Sequence, residues 1–301
     1  MSDPRPRPTS TTLAFVLAPS GAIAIGGVPY LAVELSRSGV DSPSLMFWRY
    51  LFALGMLLPL ALALRQPLAS AWRNGGRPLL LTAFTLGTFQ TFCYFQAVER
   101  MPTSVAILLF YVYPLFTLAV QRWWQGRRAP VITLAACLLI VAGAALMAVG
   151  TLRLEGVRAL DWFFAGIVPV SYGVYVIVLA RYTRVMPALT GATFIQLGLF
   201  GGYILVAATL GLKVPAGAAD WGRAFAVASI GSALPMLALA YSLPRLGPAG
   251  FGIMSSLELV TVVVLGVWLL GESLSTSQWL GVACVLAGIL IYRPPREAPA
   301  A

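Results

Sequence analysis

The spacing of the charges constrains the fold of this chain more than any other feature. Ten stretches are long enough to cross a bilayer as helices, and only two of them contain a charge, Arg49 or Glu258. The stretches are residues 8–33, 42–64, 78–98, 101–121, 129–152, 162–180, 185–212, 224–244, 246–271 and 273–292. A helix needs about 20 apolar residues to span the hydrocarbon. Only 10% of the 301 residues are charged, against about a quarter in soluble domains. We therefore predict an all-α membrane protein with ten transmembrane helices.

The basic residues are distributed unevenly between the predicted loops. If both termini lie in the cytoplasm, thirteen arginines fall on the cytoplasmic side, and five arginines and one lysine fall outside. Short loops rich in basic residues stay in the cytoplasm. We therefore predict a multi-pass membrane protein with both termini in the cytoplasm. The net charge of +10 then reflects orientation, so we expect a lipid bilayer and no nucleic acid as partner.

The residue types that are missing exclude several kinds of chemistry. The sequence contains no histidine, and Cys93, Cys137 and Cys284 all lie in predicted spans without CxxC spacing. This excludes Ser–His catalysis and every His-ligated metal or haem site. There is also no glycine-rich phosphate loop and no pair of carboxylates within the predicted spans. We expect no enzymatic activity, no cofactor and no metal, and no direct use of ATP.

The chain divides into two similar halves. An offset of 145 residues superposes Arg100 on Arg245, Trp123 on Trp268, Gly126 on Gly271, and Ala142-Gly143 on Ala287-Gly288. With five spans each, the halves insert in opposite orientations, and inverted repeats of this kind are a transporter architecture with the substrate site near the midplane. We predict a cytoplasmic polar tail (1–12), two inverted five-helix repeats (13–152 and 153–292) and a cytoplasmic tail (293–301).

Helix-breaking residues are concentrated in four predicted spans. They are Pro19, Gly26, Gly27 and Pro29 in the first, Pro114 in the fourth, Pro169 and Gly173 in the sixth, and Pro235 in the eighth. A proline within a membrane helix is tolerated where a neighbouring helix or a water-filled cavity satisfies the freed carbonyl. We predict hinges beside a cavity. The alternative is that proline and glycine are simply common in membrane helices.

Polar and aromatic side chains within the spans predict a pathway for a small amphiphilic solute. The candidates are Trp48, Arg49, Gln90, Tyr94, Tyr111, Tyr113, Tyr172, Tyr175, Gln196, Tyr241, Ser255, Ser256 and Glu258. A tyrosine ring stacks on such a solute and its hydroxyl adds a hydrogen bond. The alternative for each tyrosine is helix packing or anchoring at the membrane interface. Arg49 either snorkels to the outer surface or binds a substrate carboxylate.

Glu258 lies at the centre of its apolar stretch, where its short side chain cannot reach either surface. An ionised carboxylate there costs about 3 kcal/mol on insertion scales. Three roles stay open for it: a proton site, a site for a substrate ammonium, and a hydrogen-bonding post between helices.

Three segments resemble a known family. They are Phe47-Trp48-Arg49, the hairpin "AVERMPTSVAILLFYVYPLFTLAV", and a C-terminal signature in which "LGESLS" (270–275) precedes "QWLG" (278–281). Together they resemble the drug/metabolite transporter superfamily, specifically its EamA-type ten-helix transporters, and most closely the YddG-type aromatic amino-acid exporters. Two positions depart from the pattern. Leu259 stands where the family often has a proline, and Gly126-Arg127 stands where the signature has Gly-Glu.

The resemblance implies a secondary transporter of the bacterial cytoplasmic (inner) membrane that exports small metabolites, aromatic amino acids above all, by alternating access. A monomer suffices for this mechanism. Whether protons are the coupling ion stays open. Two alternative functions also stay open, a channel-like facilitator and an exporter of drugs or other metabolites with the same fold.

Overall fold

The computed structural model describes residues 9–126, 129–149, 156–271 and 273–293, and every regular element in these ranges is helical. The α-helices are α1 (Thr9–Gly26), α2 (Val28–Arg37), α3 (Ser42–Ala63), α4 (Leu68–Ala71), α5 (Arg77–Thr82), α6 (Thr88–Arg100), α7 (Thr103–Phe110), α8 (Tyr113–Gln125), α9 (Val131–Ala148), α10 (Ala159–Thr183), α11 (Ala188–Leu210), α12 (Ala218–Ala228), α13 (Leu234–Ser255), α14 (Leu257–Leu270) and α15 (Thr276–Ile291). Two π-helical turns join neighbouring helices, at Ala83–Gly87 and Ser229–Ala233. Between α4 and α5 the backbone is kinked at Asn74 and Gly75, whose dihedral angles are not helical. Most of the two predicted tails, the predicted junction at 152/153, Arg127 and Glu272 lie outside the described residues.

The described helices confirm the predicted all-helical, multi-pass membrane fold. Seven helical segments are long and apolar enough to cross a membrane: Thr11–Arg37, Ser42–Ala63, Thr103–Trp124, Val131–Ala148, Ala159–Thr183, Ala188–Leu210 and Ala218–Leu269. Thr276–Ile291 is a shorter apolar helix. The 52-residue segment Ala218–Leu269 is interrupted at Gly247, which has φ 73° and ψ 167°, a conformation that glycine adopts at little cost. The predicted number of ten spans and their inverted arrangement stay predictions.

Local sequence signals explain where several helices begin and end. The Asp41 carboxylate caps α3 by accepting a 3.0 Å hydrogen bond from the Ser44 amide. Ser275 and Gln278 form a capping box at the start of α15. Gly126 and Gly271 adopt left-handed conformations with φ of 66° and 67°, which end α8 and α14 as C-cap glycines commonly do.

Three predicted spans are broken near their middle. The first breaks at Gly27, between α1 and α2, and the fourth breaks at Tyr111 and Val112, between α7 and α8. The third break lies at Ser256, between α13 and α14, and no proline is next to it in the sequence. Residues at or beside these breaks, namely Ile25, Tyr111 and Ser255, line the cavity described below.

The predicted hinge residues divide into two groups. Pro29, Pro114 and Pro235 occupy the first turns of α2, α8 and α13, where proline is well accommodated. Pro19 lies inside α1, and α10 runs through Pro169 and Gly173 without a break. A hinge at any of these positions stays a prediction.

The helices α9 and α15 cross in an antiparallel direction and pack through glycines. A Cβ atom added at Gly143 would lie 2.7 Å from the Gly281 carbonyl oxygen, and one at Gly288 would lie 2.9 Å from the Ala136 carbonyl oxygen. The two backbones are therefore in direct contact, as is typical of small-residue interfaces in membranes. Elsewhere α1 packs on α13, and α3 packs on α11.

Candidate functional site

A cavity of about 200 Å³ lies between the broken helices and their neighbours. Residues from α1, α3, α6, α7, α8, α10, α11, α13 and α14 line it, together with two from the π-helical turn Ser229–Ala233. It brings together nine of the predicted pathway residues, namely Arg49, Gln90, Tyr94, Tyr111, Tyr113, Tyr172, Tyr175, Ser255 and Glu258. Pro235, a predicted hinge residue, also lines it. Residues more than 200 positions apart in the sequence thus share one site.

Glu258 enters the cavity from the first turn of α14, directly after the break at Ser256. Its Oε2 atom accepts a 3.0 Å hydrogen bond from the Tyr111 hydroxyl, which itself belongs to the break between α7 and α8. A carboxylate in the first turn of a helix is also stabilised by the helix dipole. The carboxylate is thus stabilised by the Tyr111 hydroxyl and by the helix dipole, and its two oxygens can accept further hydrogen bonds.

Arg49 enters the same cavity from α3. Its Nη2 atom donates to the carbonyl oxygen of Gly231, which lies in the π-helical turn Ser229–Ala233, and its Nη1 atom is 3.8 Å from the Met46 sulfur. The Nε atom is buried and has no hydrogen-bond partner within the described residues. One guanidinium donor is therefore free for a further acceptor.

An aromatic wall, formed by Tyr94, Phe110, Tyr113 and Tyr172, lies beside the two charges. The Tyr113 and Tyr172 ring centroids are 4.6 Å apart at 89°, an edge-to-face contact. Phe110 lies 5.1 Å from Tyr172 and 5.4 Å from Tyr94. Aromatic rings in these arrangements attract one another and would accept another ring at the same distances.

Four predicted pathway residues lie away from the cavity lining. Trp48 donates a 2.9 Å hydrogen bond to the Lys213 carbonyl oxygen and packs edge-on against Trp221. Gln196 is fully buried behind the cavity, where its Nε2 atom is 3.3 Å from the Ser232 hydroxyl. The Arg245 guanidinium lies 3.7 Å from the ring centroid of Tyr241, and the Ser256 hydroxyl donates to the Gly252 carbonyl oxygen at 3.0 Å.

Several lining residues were not among the sequence candidates. Tyr50, Thr91, Phe110 and Phe251 all face the cavity. Thr91 accepts a 2.7 Å hydrogen bond from Gln90, so its place beside a candidate glutamine was a usable signal. Phenylalanines carry no such signal, because in a membrane helix an inward-facing phenylalanine has the same sequence pattern as a lipid-facing one.

The chemistry available in the cavity is that of recognition. Its ionisable groups are one guanidinium, one carboxylate and several phenols. Among the described residues, no group of three or more cysteine, aspartate or glutamate side chains is placed to hold a metal ion. The arrangement can bind a solute that carries both a negative and a positive charge next to an aromatic or apolar body.

Comparison with known proteins supports a transport role. The profile of the EamA-like transporter family matches residues 12–149 and 162–293. An "uncharacterized transporter" of Archaeoglobus fulgidus is 26% identical over 265 residues, covering 87% of this chain and 90% of that protein. The "uncharacterized transporter YojE" of Bacillus subtilis is 26% identical over 232 residues, covering 75% and 74%.

The fold is shared with a protein of known crystal structure. That structure superposes with a TM-score of 0.75 at 17% identity, covering 93% of this chain and 96% of the other. Because the family profile covers both halves and most of the sequence, the chain belongs to the EamA-like transporter family and is a multi-pass membrane transporter.

Proposed function

We propose that this transporter exports small metabolites across the bacterial cytoplasmic membrane by alternating access, and that its substrates are amino acids, with aromatic ones favoured. The observation that carries the proposal is the presence of Arg49 and Glu258 in one cavity beside an aromatic wall. An amino acid carries a carboxylate, an ammonium and a side chain in one small molecule. Arginine binds carboxylates with a planar set of donors, and a glutamate carboxylate accepts hydrogen bonds from an ammonium.

The energetics of the cavity favour such a ligand. Charged groups within the membrane are costly unless they are paired or hydrated. Glu258 has a hydrogen bond from Tyr111, and Arg49 has a buried Nε–H for which the described part of the chain provides no partner. A zwitterion would satisfy both groups at once. A purely cationic drug would instead be repelled by the positive charge of the Arg49 guanidinium. The aromatic wall then accounts for the preference for aromatic side chains, which the resemblance to YddG-type exporters also implies.

We further propose that the chain consists of ten transmembrane helices arranged as two inverted five-helix repeats. The family profile matches in two separate segments, one in each half. The breaks at Tyr111 and Ser256 are 145 residues apart, as are the left-handed Gly126 and Gly271. These correspondences support a duplication with the offset found in the sequence.

The contact between α9 and α15 supports the same arrangement. The offset of 145 maps Gly143 to position 288 and Ala136 to position 281, so the contact of Gly143 with Gly281 corresponds to that of Gly288 with Ala136. The two contacts are exchanged when α9 and α15 are exchanged, as expected if a local two-fold axis relates the two helices. Alternating access by rocking of two inverted repeats is the motion that such symmetry permits.

Counterflow in proteoliposomes tests the proposal. Vesicles loaded with unlabelled phenylalanine should accumulate labelled phenylalanine transiently above equilibrium, because an alternating-access carrier exchanges substrates across the membrane. Tyrosine and phenylalanine should compete more strongly than threonine or a cationic drug. Equal competition by all four would contradict the aromatic preference. If the vesicles showed net flux of phenylalanine but no counterflow, the protein would be a channel-like facilitator and not a carrier.

A further inference from the structure

The hydroxyl group of Tyr175 is buried in the cavity lining and has no hydrogen-bond partner among the described residues. Tyr175 is 3% exposed and belongs to α10. A buried hydroxyl without a partner is unfavourable, and native structures rarely retain one without a reason. Because this hydroxyl belongs to a cavity-lining side chain, a molecule held in the cavity is a natural source of the missing partner.

The ring of Tyr175 is held in place by its neighbours. A Cβ atom added at Gly87 would lie 2.9 Å from Leu199 and 3.1 Å from the Tyr175 ring, so the glycine allows the ring to pack directly against the backbone after the π-helical turn Ala83–Gly87. The ring centroid also lies 6.0 Å from that of Tyr172. The hydroxyl is therefore presented by a packed ring and not by a mobile side chain.

Tyr175 is hydrogen-bonded to neither charge of the cavity. Its ring contacts that of Tyr172, whereas Glu258 accepts from Tyr111 and Arg49 donates to Gly231. The cavity thus has a charged part, to which α3 and α14 contribute, and a neutral polar part, in which α10 contributes the hydroxyls of Tyr172 and Tyr175.

We propose that Tyr175 is a specificity-determining residue whose hydroxyl hydrogen-bonds a hydroxyl group on the side chain of the substrate. The inference rests on the proposed function, in which Arg49 and Glu258 bind the carboxylate and the ammonium. An aromatic amino acid bound in this way extends its ring away from the charges, so a phenolic hydroxyl reaches the neutral part. The cavity accordingly prefers tyrosine to phenylalanine.

The preference has a direct physical cause. Tyrosine replaces any water at the Tyr175 hydroxyl with a hydroxyl of its own, whereas phenylalanine places a C–H group there and leaves the protein hydroxyl unpaired. Sites built to hydrogen-bond a substrate hydroxyl reject the analogue that lacks it more strongly than apolar pockets discriminate between isosteres. We expect about a tenfold preference, which corresponds to one hydrogen bond.

The test compares competition by tyrosine and phenylalanine in counterflow for the wild-type protein, Tyr175→Phe and the control Tyr182→Phe. The control removes a hydroxyl from the same helix at a position outside the cavity lining. Wild type and Tyr182→Phe should prefer tyrosine about tenfold. Tyr175→Phe should lose most of this preference through weaker tyrosine binding, while phenylalanine stays within about twofold of wild type. Because the substitution removes an unpaired hydroxyl, the variant should be at least as resistant to heat in detergent as wild type.

Two results would overturn the inference and leave the proposed function intact. One is equal affinity of the wild-type protein for tyrosine and phenylalanine, which needs no variant. The other is an unchanged preference in Tyr175→Phe. Absence of counterflow with either amino acid in the wild-type protein would instead overturn the proposed function, and the role of Tyr175 with it.

Discussion

Tyr111 donates a 3.0 Å hydrogen bond to Glu258 across 147 positions of the sequence. Tyr111 lies in the break between α7 and α8, and Glu258 directly follows the break between α13 and α14. The bond therefore joins the two halves of the chain where both have interrupted helices. Any motion of one half relative to the other changes the surroundings of the carboxylate, so the bond links the substrate site to the proposed movement.

The substitution Tyr111→Phe should weaken amino-acid transport without unfolding the protein. It removes the hydrogen bond that orients the Glu258 carboxylate, and hydrogen bonds to charged groups are worth about 1.5–3 kcal/mol. We expect the KM for phenylalanine in counterflow to rise about tenfold, as such a loss implies. Tyr113→Phe removes a hydroxyl from the same wall and is the matched control. Equal effects of the two variants would show that the bond from Tyr111 has no special role.

Arg49→Lys should reduce recognition of a substrate carboxylate selectively. Lysine keeps the positive charge but lacks the planar donor array. We expect inhibition by phenylalanine to weaken about tenfold, the loss expected for about 1.4 kcal/mol. Inhibition by phenethylamine, which has no carboxylate, should be unchanged. Arg100→Lys, at an exposed site where the arginine binds Gln96, is the control. If both ligands weakened alike, Arg49 would have a structural role only.

Much of the fold follows from the charge spacing, because a charge is costly in lipid and its position marks where a span ends. For Glu258 it also predicted a place in the protein interior, whereas for Arg49 it left open a position at the outer surface; the structure has both side chains lining one cavity. The break at Ser256 could not be predicted in this way. Leu259 stands where the family often has a proline, so the residue that would have indicated a break is missing from the sequence.

The side chains that lie away from the cavity show a second limit of sequence reasoning. Trp48 and Arg49 are neighbours in the sequence, yet successive residues on a helix point about 100° apart. Trp48 accordingly packs against Trp221 while Arg49 lines the cavity. Gln196 is a polar residue in mid-span, but its partners, the Tyr50 carbonyl and the Ser232 hydroxyl, are in other helices. Composition alone does not distinguish such a buried polar contact from a pathway residue.

Asp41, just outside the membrane-spanning part of α3, should make stability depend on pH. Burial raises the pKa of Asp41. Hydrogen bonds from Ser44 and the nearby Lys213 ammonium lower it by more, so the pKa lies below its usual value. Because the folded pKa is the lower one, the stabilisation is present above the unfolded value of about 3.9 and is lost as the pH falls through the folded pKa.

Asp41→Ala should therefore destabilise the protein in detergent at neutral pH by about 1 kcal/mol, as for other lost helix N-caps. Thermal unfolding as a function of pH measures the effect. The difference from wild type should shrink as the pH falls below about 4. Asp41→Asn keeps a side chain that can cap the helix, so it should lose less stability than Asp41→Ala. A difference between wild type and Asp41→Ala that stayed constant down to pH 2 would contradict the assignment.

Gly143→Ala should destabilise the contact between α9 and α15. The added Cβ atom would lie 2.7 Å from the Gly281 carbonyl oxygen, so the backbones must separate, and overpacking of this kind costs about 1–3 kcal/mol. Gly55→Ala in α3 is the control, because its Cβ atom would have no neighbour within 4 Å. Thermal unfolding in detergent should show a loss for the first variant alone. Equal stability of the two would mean that the helices are not in contact.

A pH gradient distinguishes two roles of Glu258. If the carboxylate binds the substrate ammonium, Glu258→Gln should abolish counterflow with or without a gradient. If it carries a proton, the variant should retain counterflow and lose only the response of net flux to the gradient. We expect the first result, because the carboxylate shares the cavity with Arg49.

Equilibrium binding of labelled tyrosine to the purified protein is the most direct test of the central claim that Arg49 and Glu258 form an amino-acid site. The wild-type protein should bind one tyrosine saturably. Glu258→Gln should weaken binding at least tenfold, or about 1.4 kcal/mol, while Glu34→Gln, which changes an exposed acid paired with Arg37, should bind as wild type does. Unaltered binding by a folded Glu258→Gln protein would contradict the claim.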